Sequence, residues 1–141
     1  MADEVEITIS SHPRWLRLVR QVVCEYALET GFETHDAHAI TLAVGEAVGN
    51  VIKHSYRGRT DESVVLRCRA EGKAIEISLS DYGEAFDPNL QPMLPPDELR
   101  PGGRGLYLMR AIMDEVEFQR DRGLNIVRMR KLLPSPAFKS S

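Results

Sequence analysis

A proline-rich stretch between Gly83 and Gly105 places the strongest constraint on how this chain can fold. It has no regular hydrophobic pattern, and it contains Pro88, Pro92, Pro95, Pro96 and Pro101. Proline lacks a backbone donor and is largely excluded from helix interiors and central strands. Structureless loops longer than ~12–15 residues are uncommon inside compact domains, where they are usually functional or disordered. We therefore predict a long functional loop over about residues 84–104, with regular elements on both sides.

The segments before this loop alternate between strand and helix patterns. Apolar residues recur every second position in strands and every third or fourth position in helices. Proline near a helix start, glycine at its end and an acidic first turn mark the helix boundaries. The predicted elements are a strand at 3–10, a helix from Pro13 to Gly31, a second helix capped by Thr34 and reaching about Tyr56, and a hairpin at 64–70 and 75–79.

The segments after the loop complete the fold prediction. A helix from Leu106 to about Asp114 precedes a second hairpin, with strands at 116–120 and 124–132. The resulting order is βααββ, loop, αββ. This order predicts an α+β two-layer sandwich, with helices on one face of a mixed, mainly antiparallel sheet. A pocket between the two layers would lie beneath the long loop.

Composition narrows the class of protein. The 141 residues suit one domain, and 18 Lys and Arg against 21 Asp and Glu give a formal net charge of -3. This balance argues against a general nucleic-acid binder, which needs a basic face to displace counterions from phosphates. The chain has no apolar run of the ~18 residues that a membrane helix needs, and its acidic start is unlike a signal peptide. We expect a cytoplasmic protein with no direct contact to nucleic acid or membrane.

The second predicted helix carries a line of polar residues. Glu46, Asn50 and Lys53 lie at positions i, i+4 and i+7, which places them along one side of the helix. A solvated helix face is the ordinary interpretation of such a line. Functionally, an amide oxygen beside a carboxylate can hold Mg²⁺ while the lysine meets phosphate oxygens.

Asp81 ends a strand on its apolar side. It shares the parity of Ile75, Ile77 and Leu79, so its carboxylate needs a donor if it is buried. A turn-forming aspartate explains the position equally well. The functional alternative is an acceptor for the exocyclic amine of a purine, with Gly83 allowing close approach to the backbone.

A glycine-rich segment, residues 102–105, comes directly before the third helix. Glycines at a helix N-terminus expose backbone N–H groups, and the helix dipole favours an anion there. A flexible hinge is the alternative. The sequence contains neither GxxxxGK[ST] nor a GxGxxG that follows a strand.

These three features together resemble the motifs of a known superfamily. Glu46-x-x-x-Asn50, Asp81-x-Gly83 and Gly103-x-Gly105 are similar to the N, G1 and G2 boxes of histidine-kinase-like ATPases. More narrowly, residues 46–56, 81–88 and 102–110 resemble the anti-sigma-factor serine/threonine kinases. The resemblance implies the Bergerat ATP-binding fold, in a single domain over 1–141 with its core at about 5–132 and an ATP lid at about 84–104. Ala85 departs from the pattern, because many relatives have a second glycine there.

The resemblance also implies the use of ATP and Mg²⁺, and a role for each motif residue. Asn50 would be the Mg²⁺ ligand, and Glu46 the general base or the residue that orients the attacking hydroxyl. Asp81 would accept a hydrogen bond from the adenine amine, with Gly83 flanking the base. The residues expected at the phosphates are Lys53, Gly103, Arg104 and Gly105.

We expect the phosphoacceptor to belong to a second polypeptide, because the predicted elements leave no residues for a phosphoacceptor helix hairpin. The resemblance names a STAS-domain anti-anti-sigma protein, phosphorylated on Ser or Thr, and a sigma factor or other regulated protein. Arg20 lies on a basic stripe of the first helix, which is ordinarily a solvated face. The resemblance makes Arg20 the candidate partner contact, because the family presents an arginine to its sigma factor there, and it also implies a homodimer. Two alternatives stay open: a non-catalytic, nucleotide-gated binding module that sequesters a partner, and a detached histidine kinase catalytic domain.

Overall fold

The computed structural model describes residues 4–85 and 104–134, which form a five-stranded sheet covered by helices. A 3₁₀ turn at Pro13–Trp15 precedes the first α-helix, and a π-helical turn at Val51–Ser55 continues the second. The regular elements are β1 (Glu4–Ser10), α1 (Leu16–Thr30), α2 (Thr34–Asn50), β2 (Ser63–Glu71), β3 (Ala74–Asp81), α3 (Arg104–Ile112), β4 (Glu115–Asp121) and β5 (Leu124–Leu132). The predicted order of elements is confirmed.

The sheet has the strand order β1-β2-β3-β5-β4. Each neighbouring pair in the described residues is antiparallel, so the expected mixed sheet is in fact antiparallel here. The reason lies in the connections. Tight turns join β2 to β3 and β4 to β5, so these pairs are antiparallel. The segment containing α3 leads to β4 at the edge of the sheet. The chain then turns back, and β5 lies between β4 and β3.

The core lies between the helices and one face of the sheet. Along β3, the side chains of Ile75, Ile77 and Leu79 are buried against the helices, while the alternating residues face outward and stay partly exposed. The helices supply small aliphatic side chains to this layer, such as Val23 and Val48. Full burial of each such side chain stabilises the fold by about 1.5–3 kcal/mol. The strand alternation thereby fixes which side chains reach the interior.

The boundaries of α1 and α2 lie close to the predicted ones, except at the end of α2. Helix α1 ends at Gly31, whose φ of 119° is in the left-handed region that favours glycine. The N-cap of α2 is Glu33 rather than the predicted Thr34, which is the first helical residue. Beyond Asn50 the helix widens, and Tyr56 N donates to Val51 O at 2.9 Å across a π-type turn.

Within the described ranges, no helix combines the length and apolar character that crossing a membrane requires.

Candidate functional site

A pocket of about 380 Å³ lies between α2, α3 and the edge of the sheet formed by β3, β5 and β4. Its walls are mainly apolar, with a small number of polar side chains that converge on the same space. This combination is typical of sites that bind small molecules. The polar residues lining it are Asn50, Ser55, Asp81, Gln119, Arg120 and Asn125, and the larger apolar ones are Val51, Met109, Phe118, Ile126 and Val127.

Asp81 lies at one end of this pocket, with only 3% of its surface exposed. Its Oδ1 accepts hydrogen bonds from the backbone N–H of Gly83 at 2.8 Å and from Asn125 Nδ2 at 2.9 Å. Burial raises the pKa of Asp81, and these hydrogen bonds, one from Ser55 and the charge of Arg120 oppose that rise. Strand parity thus correctly predicted a buried carboxylate, and its donors make it a fixed acceptor.

Gly83 lies where the chain leaves β3 and passes the π-helical turn. A Cβ at this position would lie 2.3 Å from the carbonyl oxygen of Ser55, a distance that no side chain can adopt. The same oxygen accepts a hydrogen bond from Glu84 N at 2.7 Å, and Glu84 forms an ion pair with Arg57. Glycine is therefore required by the packing of the loop on the turn, a reason that the sequence did not reveal.

Asn125 and Arg120 belong to the site but were not identified from the sequence. Asn125 is buried and lies directly opposite Asp81 in the sheet register. Arg120 reaches it from the neighbouring strand, with Nη1 2.7 Å from Asn125 Oδ1. Asn125 shares the strand parity of Val127 and Met129, so strand alternation predicts a buried side chain for it, as it does for Asp81. Arg120 gave no comparable signal, because arginine on an edge strand is ordinary.

The opposite end of the pocket lies where α2 meets the first turn of α3. A Cβ added to Gly105 would lie 3.0 Å from Glu46 Oε2 and 3.6 Å from Asn50 Nδ2. Glu46 and Asn50 are half-buried, and Asn50 lines the pocket. Lys53 is exposed on the π-helical turn. Among the described residues, the pocket lining includes Asn50 but not Lys53, Glu46 or Gly105. The structure therefore brings Glu46, Asn50 and Gly105 together and leaves Lys53 at the surface.

The remaining predicted residues have different outcomes. Gly103 and most of the predicted lid at 84–104 lie outside the described residues, and Arg104 is described only as the first residue of α3. Arg20 is exposed on α1, and its guanidinium lies across Gly45 of α2, where a Cβ would be 3.0 Å from Nε. Because Gly45 precedes Glu46, the proposed partner contact lies beside the helix segment that carries the proposed base.

An antiparallel sheet covered by helices, with a pocket between the two layers, is the architecture expected of a Bergerat-type ATPase. The family model described as "Histidine kinase-like ATPase domain" matches residues 9–131, and the chain belongs to that family. Several curated relatives are named serine-protein kinase RsbW. The relative from Bacillus velezensis is 30% identical over 138 residues, covering 92% of this chain and 86% of its own length.

Two further relatives carry the same name. The RsbW of Bacillus licheniformis is 33% identical over 133 residues, covering 89% of this chain and 83% of its own. That of Listeria innocua is 27% identical over 135 residues, with coverages of 90% and 86%. The resemblance to serine/threonine kinases of this type, stated from the motifs, is confirmed.

Solved structures share the fold. The RsbU and RsbW domains of a Mycobacterium tuberculosis protein match with a TM-score of 0.69 at 20% identity, covering 95% of this chain and 33% of that longer one. The histidine kinase domain of a blue-light activated kinase from Erythrobacter litoralis matches with a TM-score of 0.56 at 18% identity, with coverages of 86% and 60%. The predicted fold is confirmed.

Proposed function

We propose that the protein is an ATP-dependent serine/threonine kinase and anti-sigma factor of a partner-switching system, which phosphorylates a STAS-domain anti-anti-sigma protein. One observation carries the proposal: a single pocket is lined by a buried, multiply hydrogen-bonded carboxylate, Asp81, and by Asn50, which lies with Glu46 against Gly105 at the margin of the pocket. The names of the relatives support the same activity. We expect it to act in the cytoplasm, as a homodimer.

The end of the pocket at Asp81 suits an adenine base. The carboxylate is held in place by Asn125, Gly83 and Ser55, so it offers a fixed acceptor to the exocyclic amine of the base. Apolar side chains beside it, including Met109 and Val127, provide surfaces for the ring. An apolar slot can recognise the flat ring of a purine by its shape, and the one fixed acceptor of the protein can bind the N–H donor of the exocyclic amine.

The end at Gly105 suits the triphosphate and its metal. The side-chain amide of Asn50 supplies an oxygen donor of the kind that Mg²⁺ prefers, so Asn50 would hold the ion, while the Glu46 carboxylate beside it stays free to accept a proton. Bound there, Mg²⁺ would neutralise charge on the phosphates. The first turn of α3 presents backbone N–H groups and the positive end of its dipole, so Gly103, Arg104 and Gly105 are the proposed phosphate contacts. Lys53 would have to turn inward from its exposed position to reach the phosphates.

Glu46 is the proposed general base. The hydroxyl oxygen of the partner's Ser or Thr forms a bond to the γ-phosphorus of ATP while the bond from that phosphorus to the β,γ-bridging oxygen breaks. The hydroxyl proton passes to the Glu46 carboxylate, and ADP leaves with the bridging oxygen. Positioning and charge stabilisation supply most of the rate in such reactions.

The partner surface is proposed to include Arg20. Its guanidinium lies across Gly45 of α2, so a partner bound to Arg20 would contact the helix that carries Glu46. We expect Arg20→Ala to weaken binding of the STAS-domain protein about tenfold or more while Mg-ATP affinity stays unchanged, because Arg is a frequent energetic anchor of interfaces. Titrations with each ligand separate the two effects. Unchanged partner affinity would remove Arg20 from the interface.

The decisive experiment is phosphoryl transfer from γ-labelled ATP to STAS-domain proteins encoded near this chain. The proposal expects an acid-stable label on a Ser or Thr of the partner. An acid-labile label on histidine would indicate a histidine kinase catalytic domain instead. Calorimetric binding of Mg-ATP without transfer to any such partner would contradict the kinase and favour a sequestering, nucleotide-gated module.

A further inference from the structure

A row of three polar residues crosses the end of the sheet beside the pocket. Asp81 on β3 is the direct register partner of Asn125 on β5, and Asn125 is the direct partner of Arg120 on β4. All three line the pocket. Only Asp81 has been given a role above, so the other two require an explanation of their own.

The amide of Asn125 can take only one orientation. Its Nδ2 faces three acceptors, namely Asp81 Oδ1 at 2.9 Å, Glu84 O at 2.8 Å and Gly83 O at 3.3 Å. Its Oδ1 accepts from Arg120 Nη1 at 2.7 Å, and the same Nη1 lies 3.2 Å from Gly83 O. A reversed amide would set its oxygen against three oxygens and its NH₂ against a guanidinium. Arg120 therefore acts on Asp81 through Asn125.

This arrangement occupies one oxygen of the Asp81 carboxylate. An ionised carboxylate has about four acceptor sites, divided between its two oxygens. The protein donates to Oδ1 twice, from Gly83 N and from Asn125 Nδ2. At most one carboxylate oxygen, Oδ2, is left for a ligand in the pocket.

From this count we infer that Asn125, oriented by Arg120, sets the base selectivity of the nucleotide site. The inference rests on the proposed ATP-binding function and names what enforces it. Adenine presents one exocyclic amine, which a single remaining acceptor satisfies. Guanine presents N1–H and a 2-amino group side by side, and one of these donors would stay unpaired. A buried donor without a partner is costly, so guanine is rejected.

The test compares Mg-ATP with Mg-GTP, which share ribose and triphosphate, so the ratio of their Kd values isolates the base. In Asn125→Leu, which keeps the branched shape of the side chain but has no donor, an acceptor on Asp81 is freed, and we expect the preference for ATP to fall about tenfold. In Arg120→Met the amide is less firmly oriented, and we expect a fall of about threefold. Arg120→Lys keeps a donor and a charge, and it should retain the wild-type ratio.

The outcomes separate this inference from the proposed function. Equal weakening of both nucleotides, with an unchanged ratio, would mean that Asn125 and Arg120 only support the fold, and it would overturn the inference. Arg120 is exposed, so Arg120→Met decides the matter if Asn125→Leu does not fold. Wild-type protein that binds ATP and transfers phosphate while the variants keep their selectivity contradicts this inference alone. Wild-type protein that binds neither nucleotide contradicts both.

Discussion

The two ends of the pocket are built differently. At the base end, Asp81 is buried and bonded to groups from a neighbouring strand, its own turn and the π-helical turn. At the phosphate end, Glu46 and Asn50 are half-buried on the face of a helix, and the first turn of α3 approaches them at Gly105. The comparison indicates that base recognition is fixed by the sheet, whereas phosphate chemistry depends on how two helices meet.

The largest effect is expected at the phosphate end, from Glu46→Gln. The amide keeps the size and polarity of the carboxylate but cannot accept the proton, so transfer should fall by ~10²–10⁴. Nucleotide affinity should change little. Single-turnover transfer from labelled ATP and calorimetry measure the two quantities. Asn50→Ala is the matched contrast, since loss of the proposed metal ligand should remove Mg-ATP binding as well as transfer. Transfer by Glu46→Gln at the wild-type rate would show that Glu46 is not the base.

The glycines test directly whether the two ends differ in rigidity. Gly83→Ala places a Cβ 2.3 Å from the backbone of Ser55, so the loop must move. We expect it to weaken ATP binding about 100-fold and to lower the free energy of unfolding by about 1–3 kcal/mol. Gly105→Ala instead meets the end of the flexible Glu46 side chain at 3.0 Å.

Because that side chain can turn aside, Gly105→Ala should change the free energy of unfolding by less than about 1 kcal/mol and reduce transfer only several-fold. Chemical denaturation and transfer assays on both variants make the comparison. Equal destabilisation by the two substitutions would contradict the contrast between a rigid base end and an adaptable phosphate end.

A smaller effect is expected from Asp81→Asn at the base end. The amide presents a donor as well as an acceptor, so it can turn an N–H towards the adenine amine. Loss of one hydrogen bond to a charged group corresponds to a roughly 10- to 100-fold weaker Kd for Mg-ATP. At saturating ATP, transfer should recover, because the phosphate end is intact. Transfer that stays low at saturation would mean that Asp81 also orders the phosphate end.

The smallest expected effect is a pH dependence of ATP affinity, which arises from Asp81 at the base end of the pocket. Burial raises the pKa of Asp81, and a protonated carboxyl is a poorer acceptor for the adenine amine. ATP affinity should therefore be full above that raised pKa and fall several-fold as the pH drops through it. The free energy of unfolding depends on pH in the opposite direction from ATP affinity. The contribution of Asp81 to it rises as the pH falls, because the folded state binds the proton more tightly than the unfolded state does.

Calorimetry across pH, with Asp81→Asn as the reference, measures this dependence, because the titration of ATP itself is common to both proteins. Identical pH profiles for the two proteins would mean that the Asp81 carboxyl does not titrate in the range studied or does not contact the base.

Local patterns predicted much of this molecule but little of its long-range pairing. Strand alternation placed Asp81 inside, and helical spacing placed Glu46 and Asn50 on one side of α2. The pairing of β3 with β5 brings Asn125 to Asp81, and no local pattern encodes which strands become neighbours. The end of α2 was also predicted as ordinary helix, because the choice of a π turn depends on tertiary contacts. That turn supplies the carbonyl that makes Gly83 necessary.

The π-helical turn at Val51–Ser55 makes the number of residues in this segment as important as their chemistry. Asn50 precedes the turn, and Ser55 at its end contributes both a hydroxyl to Asp81 and a carbonyl to Glu84 N. Removing one residue would replace the i→i−5 hydrogen bond of this turn with an ordinary i→i−4 bond and shift Ser55 relative to Asn50. Insertions and deletions in this turn would displace the base end of the pocket relative to the phosphate end. Substitutions at its exposed positions would leave both ends in place. The interval from Asn50 to Ser55 is therefore a fixed length in the chain.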